Sequence, residues 1–301
     1  MDGTLPSPWH DGERAMHRTL GMEERMEEIG GKVVRRFMPI QHRDFFAQLP
    51  FVVLGSVDGA GDAWATLRAG APGFMTSPDP RTLHVALASD ADDPADAGLG
   101  DGAAVGLLGI ELHTRRRNRM NGTLRRLDPA RVAITVGESF GNCPQYIHLR
   151  DWEAAVGRVP QAAVALAALG PRERQLIAAS GTFFVASYAD TAADTAAGRR
   201  VDVSHRGGPA GFVQVAPDGT LTVPDYSGNR FFNTLGNLVM NGRAGLVFVD
   251  FATGDLLQMS GDAEVVLGGP EVARLPGAER LWRFRPRRIV WRGAALPMRW
   301  T

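Results

Sequence analysis

The chain nearly lacks two residue types, and each shortage narrows its chemistry. Lys32, in a Gly-Gly-Lys turn, is the single lysine; the other basic residues are arginine. A Walker A loop needs a lysine directly after its glycines, and pyridoxal phosphate needs one for its Schiff base, so both classes are disfavoured. Cys143 is the single cysteine, which rules out an intrachain disulfide or a thiolate zinc cluster and fits a reduced, cytoplasmic compartment. Net charge is also missing: 33 basic residues balance 33 acidic ones, so no molecule-wide field favours nucleic acid or an anionic membrane, and any anion site must be local. No stretch approaches the ~20 apolar residues of a membrane span, and Met1 to His10 lacks a basic region followed by an apolar run. The seven histidines show no metal-ligand spacing, so no metal is expected.

What the chain does have is β-structure written twice. At 301 residues, against roughly 100 to 200 per domain, two domains are expected. Residues 11 to 29 read as an amphipathic helix ending at Gly30-Gly31, and a short helix follows at Arg43 to Gln48. Strands then recur at Phe51 to Val57, Ala63 to Leu67, Gly73 to Met75, Thr82 to Leu87, Ala104 to Ile110 and Arg131 to Val136, separated by turns, the pattern of a sandwich or barrel. Residues 153 to 180 turn Ala- and Leu-rich and read as a helical linker, after which the β pattern restarts at Thr182. Residues 68–89 align without a gap on 206–227, with identities that include Arg68/Arg206, Gly70/Gly208, Gly73/Gly211, Phe74/Phe212, Leu83/Leu221 and Val85/Val223. The match resumes at Gly102/Gly242 and at Met120-x-Gly122 against Met259-x-Gly261. A domain-sized period means duplication. The expected divisions are a helical extension at 1–40, repeats at 41–152 and 181–301, and the linker between them.

The copies diverge chemically in the segment after Leu83 and Leu221. Copy two reads Tyr226-Ser227-Gly228-Asn229-Arg230, expected to open a helix carrying Thr234, with free backbone N–H groups beside a hydroxyl, an amide and a guanidinium: an anion site. His205-Arg206-Gly207-Gly208 adds a second charged donor beside glycines that permit close backbone approach. Copy one has Asp90, Asp92, Asp93 and Asp96 instead, which suit a helix start but repel phosphate. The small-residue insert Ala189 to Arg200 is expected to be mobile without ligand.

These motifs resemble the pyridoxamine 5'-phosphate oxidase-like, flavin-binding split-barrel superfamily. The resemblance rests on Tyr226 to Arg230, on Asn241-Gly242-Arg243-Ala244-Gly245-Leu246-Val247-Phe248, on Arg115 to Gly122 and on Gly141-Asn142-Cys143-Pro144-Gln145-Tyr146-Ile147, and spans about residues 40 to 265. It implies a mainly β fold with flanking helices: tandem split β-barrels of the FMN-binding type forming an intrachain pseudo-dimer, in a monomer or a homodimer. By resemblance, His205, Arg206, Ser227, Asn229 and Arg230 would hold the FMN phosphate, while Arg117, Asn142 and Gln145 would reach the ring. The oxidases' arginine and lysine beside the phosphate strand have no counterpart in Pro209 to Gln214, and the substrate-phosphate residues are unmatched. Oxidation of pyridoxamine phosphate itself is therefore not expected. The expected function is an FMN-dependent oxidoreductase on an unidentified small molecule, with electron donor and catalytic side chain unassigned. The rival is a non-catalytic module that binds or carries flavin, haem or a deazaflavin.

Overall fold

The structure, a computed structural model, describes residues 7–191 and 198–301. Residues 192–197 of the insert expected to be mobile, and Met1 to Pro6 of the N-terminal segment, lie outside the described residues. The N-terminal helical reading resolves into two helices, α1 (Asp11–Thr19) and α2 (Glu23–Val33), because Gly21 takes φ +62° between them. Met26 and Ile29 carry α2 past the expected stop, since Gly30 packs against Trp9 too closely to admit a Cβ. Helix α3 (Ile40–Gln48) then leads into the first sheet.

That sheet has seven strands: β1 (Phe51–Val57), β2 (Ala63–Ala69), β3 (Met75–Asp79), β4 (Thr82–Ala86), β5 (Ala104–Glu111), β6 (Arg116–Asp128) and β7 (Arg131–Gly141), in the order β2-β1-β5-β6-β7-β4-β3. The second repeat follows the same path with β10 (Thr182–Asp190), β11 (Arg199–Gly207), β12 (Gln214–Val215), β13 (Leu221–Tyr226), β14 (Arg243–Val249), β15 (Leu256–Val266) and β16 (Ala278–Arg292), ordered β11-β10-β14-β15-β16-β13-β12. Each sheet curls around its own apolar cluster, one through Val52, Leu83, Leu107, Met120 and Ile134, the other through Phe183, Leu221, Leu246, Met259 and Trp282. Each ordered path stays open between its first and last strand, giving two split barrels.

The duplicated identities have physical roles in both copies. A Cβ on Gly70 would lie 2.6 Å from Phe74, and one on Gly208 2.7 Å from Phe212. Gly122 and Gly261 both sit at a register shift, where a Cβ would come within 2.1 Å of a carbonyl on the neighbouring strand. Between the fourth and fifth strands of each repeat lies the element that differs: a 3-10 turn at Pro94–Gly98 in the first, and helix α5 (Asn233–Asn241) in the second.

The linker departs from expectation. Only α4 (Pro171–Ala179) is helical; β8 (Trp152–Ala154) pairs with the C-terminal β17 (Met298–Trp300), and β9 (Val164–Leu166) adds to β16. The Ala-rich composition misled because Gly157 (φ +76°) and Pro160 interrupt any helix and the neighbouring backbone offers strand partners. The Trp282 to Trp291 segment of β16 lies between β13 and β15 inside the sheet.

The barrels share an apolar interface in which Phe51, Val53, Leu67 and Leu108 meet Phe184, Val203, Val247 and Leu256. It is pseudo-symmetric. A Cβ on Gly106 of β5 would fall 2.9 Å from the Asp202 backbone, and one on Gly245, its duplicate on β14, 2.3 Å from Ala63 O. Alanine at either position should cost about 1–3 kcal/mol of overpacking strain. Urea unfolding of each variant checks this, and an unchanged midpoint in both would refute the interlock. No helix among the described residues is long and apolar enough to cross a membrane.

Candidate functional site

One cavity lies where the first repeat meets the strand–loop–helix segment of the second. Strand β6 supplies Arg117 and Arg119, two residues apart and so on one face, while Arg116 on the other face covers the Phe45 ring at 4.8 Å. The segment after β7 supplies Asn142, Cys143, Gln145 and Tyr146. From the second repeat come Ser204 to Gly207 of β11, Asp225 and Tyr226 of β13, the loop Ser227 to Arg230, then Phe232, Asn233 and Thr234, and Arg280 of β16. Of the residues singled out from sequence, His205, Arg206, Gly207, Tyr226, Ser227, Asn229, Arg230, Thr234, Arg117, Asn142 and Gln145 all line this cavity. Gly208 does not. It faces a neighbouring cleft with His148 and Pro209, and its amide donates to Gly181 O at 3.1 Å, so it has none to offer a ligand.

Two local readings need correction. Ser227-Gly228-Asn229 does not open a helix: Arg230 (φ 60°) and Phe232 (φ 57°) are both left-handed, which delays α5 to Asn233. Arg230 is therefore in a loop and not in a first helical turn. The Asn229 side chain accepts from Phe231 N at 3.1 Å, a local turn, and the start of α5 carries no side-chain cap. Left-handed backbone at a non-glycine residue is strained, and here the N-terminal extension holds it: His17 Nε2 donates to Arg230 O at 3.0 Å and Met22 Sδ lies 3.0 Å from Arg230 Nη1.

The lining sets five guanidiniums, Arg117, Arg119, Arg206, Arg230 and Arg280, against one carboxylate, Asp225. Arg206 Nη1 and Arg280 Nε share Asp225 at 2.7 and 3.0 Å. Arg119 is buried, with Asp202 at 3.1 Å, and it donates to Ser204 Oγ at 2.7 Å and Asn233 Oδ1 at 2.6 Å. Thr234 Oγ1 donates to the same Ser204 hydroxyl at 3.0 Å. Arg117 has no carboxylate partner among the described residues; its Nη1 donates to His205 Nδ1 at 3.2 Å. Burial, then Arg119 and Arg206, hold the Arg117 guanidinium down to about 10. Burial, then Arg117 and Arg206, push the His205 imidazole well below its ordinary value, so it is neutral.

Four buried donors on residues that line this cavity, Arg117 Nε, Arg119 Nε, Arg206 Nε and Asn142 Nδ2, have no hydrogen-bond partner among the described residues. Buried donors left unsatisfied cost about 1–3 kcal/mol each, so four on the lining of one cavity are a cost that an acceptor-rich anion could relieve. At the mouth, Tyr146 crosses from the first repeat, its hydroxyl donating to Ser227 O at 3.0 Å and its ring 5.4 Å from that of Tyr226. Gly207 is required beneath this strap, since a Cβ there would fall 2.0 Å from Tyr146 O.

The equivalent place in the first repeat is closed by the chain itself. Arg68, the duplicate of Arg206, meets Asp96 at 2.6 Å, Asp93 at 3.0 Å and Asp90 at 3.6 Å. Arg292 reaches Asp93 at 3.0 Å and also pairs with Asp90. Asp93 further accepts from Thr66 at 2.5 Å and Gln258 at 3.0 Å, and caps the 3-10 turn. Sequence reading missed Arg119, Asp225, Asn233 and Arg280 as cavity residues. The i, i+2 spacing from Arg117 would have found Arg119; Arg280, some fifty residues beyond Arg230 in the chain, carries no local signal.

No family model matches the chain, and no curated protein does. Among solved structures, it is similar to HupZ from Group A Streptococcus at 14% identity (35% of this chain, 94% of the other, TM-score 0.28). An FMN-binding protein from Syntrophomonas wolfei matches at 12% identity (39% and 82%, TM-score 0.29). HutZ, the haem storage protein from Vibrio cholerae, matches at 14% identity (41% and 93%, TM-score 0.28).

Proposed function

We propose that the cavity between the repeats binds FMN by its phosphate, and that the protein is an FMN-dependent oxidoreductase acting on a small molecule. The observation that carries the reading is a cavity lined by five guanidiniums against one carboxylate, with four partnerless buried donors on its lining residues. A ligand with a dianionic group at one end and a planar, acceptor-bearing ring at the other suits such a set. His205, Arg206, Ser227, Asn229 and Arg230 form the second-repeat wall that would hold the phosphate. Arg117, Asn142 and Gln145 form the opposite wall, from the first repeat, where the ring would lie. Tyr146 and Tyr226 pair their rings at the mouth, 5.4 Å apart, an aromatic edge on which a planar group could pack.

A bound flavin supplies electron or hydride transfer, and the chain supplies orientation and field. The arginine-rich lining favours any negative charge that develops on a bound ring, and the Tyr146 strap restricts water. His205 bears on the haem alternative. Its Nδ1 lies 3.2 Å from Arg117 Nη1 and its Nε2 3.5 Å from Thr182 Oγ1, so an iron ligand here would have to displace at least one of these contacts.

The test is direct. Purified protein titrated with FMN should bind one equivalent per chain, then be reduced anaerobically by NADH or NADPH and reoxidised by an added acceptor. Binding of haem but not FMN would sink the flavin reading. Tight FMN binding without turnover by any donor would leave a carrier and sink the enzyme.

A further inference from the structure

A second layer of the site comes from the N-terminal extension. Glu13 of α1 is 2% exposed, and its burial follows from the fit of α1 onto α5. Gly12 and Gly236 face each other so closely that a Cβ on Gly12 would fall 2.1 Å from Gly236 O, and one on Gly236 2.7 Å from Glu13 N. The carboxyl accepts from His10 N at 2.9 Å and from Asn233 Nδ2 at 2.5 Å. Asn233 turns its other end, Oδ1, to Arg119 Nη1 at 2.6 Å, and Arg119 is cavity wall with Nε unpartnered. One amide thus joins the cavity to a buried carboxyl, its two ends fixed by what they face: oxygen to a guanidinium, nitrogen to a carboxyl group.

The charged and titratable groups around Glu13 are few. His10 precedes it, with Nε2 3.5 Å from Oε2; β11 brings Arg200 and β7 brings Glu138, which pair with each other; β6 brings Arg119, tied to Asp202 of β11. Helix α5 presents only neutral side chains there, Asn233 and Asn237. Burial pushes the Glu13 carboxyl up to about 8, opposed by Arg200 and reinforced by Glu138. Burial and Arg200 push His10 down to about 4, so it is neutral near pH 7.

We propose that Glu13 is a positioning residue that links anion binding in the cavity to proton uptake: a dianion seated beside Arg119 raises the proton affinity of Glu13 through Asn233. The inference rests on the cavity being a phosphate site. By linkage, the dianion binds more tightly to the form with Glu13 protonated, so affinity falls as pH rises through the free-state midpoint and levels off above the bound-state one. A midpoint raised by one unit on binding corresponds to about a tenfold loss of affinity across that window. The phosphate of FMN, with a second pKa of about 6, remains dianionic throughout.

The full chain and Glu13→Gln, which keeps the hydrogen-bonding shape of the protonated form, are titrated with FMN, riboflavin and sulfate from pH 7 to 9.5. The expected result is about a tenfold loss for FMN in the natural chain, a flat profile in Glu13→Gln, and no slope for riboflavin. If Glu13→Gln does not fold, the carbon-13 carboxyl resonance of Glu13, followed in the free and FMN-saturated protein, must move to a higher midpoint on binding. Tight FMN binding with a flat natural profile, equal slopes in both proteins, or an unmoved Glu13 midpoint overturns the proton link and leaves the flavin reading standing. No FMN binding, but sulfate bound with the proton-linked slope, supports the link and sinks the flavin. Binding of neither overturns both.

Discussion

Replacing Arg119 by leucine is expected to cost the protein about 3–5 kcal/mol of stability, the penalty for breaking a buried ion pair from one side. Asp202, only 4% exposed, would lose its cation, and Ser204 and Asn233 would each lose a buried donor. Arg117→Leu is the informative contrast. Arg117 stands two residues away on the same strand without a carboxylate among the described residues, crowded by Arg119 and Arg206, so removing it relieves like-charge repulsion and should leave stability level or slightly higher. Urea unfolding of both ligand-free variants separates the two roles. Equal losses would mean that the cluster is structural, with no charge held in reserve for a ligand. FMN affinity is expected to fall in Arg117→Leu as well, which loses the ligand contact while keeping the fold.

The largest expected effect on binding is the discrimination of FMN from riboflavin. Charge-assisted hydrogen bonds contribute about 1.5–3 kcal/mol each, so two from Arg206 and Arg230 amount to about 3–6 kcal/mol, and riboflavin should bind at least about a hundredfold more weakly. Arg206 Nη1 already donates to Asp225 and Nε is buried, so Nη2 is the guanidinium nitrogen left for a ligand. Its removal would also leave Asp225, held then only by Arg280, facing the phosphate. Arg206→Ala should therefore weaken FMN by more than tenfold, beyond one lost hydrogen bond of about 1.4 kcal/mol, and barely touch riboflavin. Arg68→Ala, at the duplicated position, is buried among Asp90, Asp93 and Asp96 and should leave FMN affinity intact in the folded fraction. Fluorescence quenching on addition of each flavin measures all of these. Equal affinity for the two flavins, or equal losses from Arg68→Ala and Arg206→Ala, would sink a single phosphate site in the second repeat.

The fold was legible because its determinants are local and repeated. Alternating apolar runs with turn glycines marked the strands, and identities such as Gly73/Gly211, both left-handed at φ 96° and 79°, marked the copying. Residues close in sequence to a recognisable motif, such as Tyr226 to Arg230, were placed in the cavity for the same reason. What escaped depends on long-range packing. The linker strands β8 and β9 exist only because β17 and β16 lie beside them, and the docking of α1 on α5, which puts Glu13 next to Asn233, is 220 residues removed in sequence. The late start of α5 escaped for a different reason: Ser-Gly-Asn is equally good as a cap and as a turn, and the left-handed Arg230 and Phe232 are maintained by His17 and Met22 from another part of the chain.

The paired glycines Gly106 and Gly245 carry a consequence for how such a site evolves. In a homodimer with this interface, a substitution on one subunit falls on both, so acidic residues that fill one ligand site fill its mate and abolish function. Once the subunits are fused, each position answers for itself. The interlock at Gly106 and Gly245 keeps the two-fold arrangement, while the fusion permits Asp90, Asp93 and Asp96 to seal one half-site with a permanent internal counter-ion set and leaves the other open. Fusion also makes pairing of the halves independent of protein concentration, because the partner is always tethered within reach. Symmetry is thus retained as scaffold and discarded as chemistry, and the sealed half becomes free to specialise in rigidity.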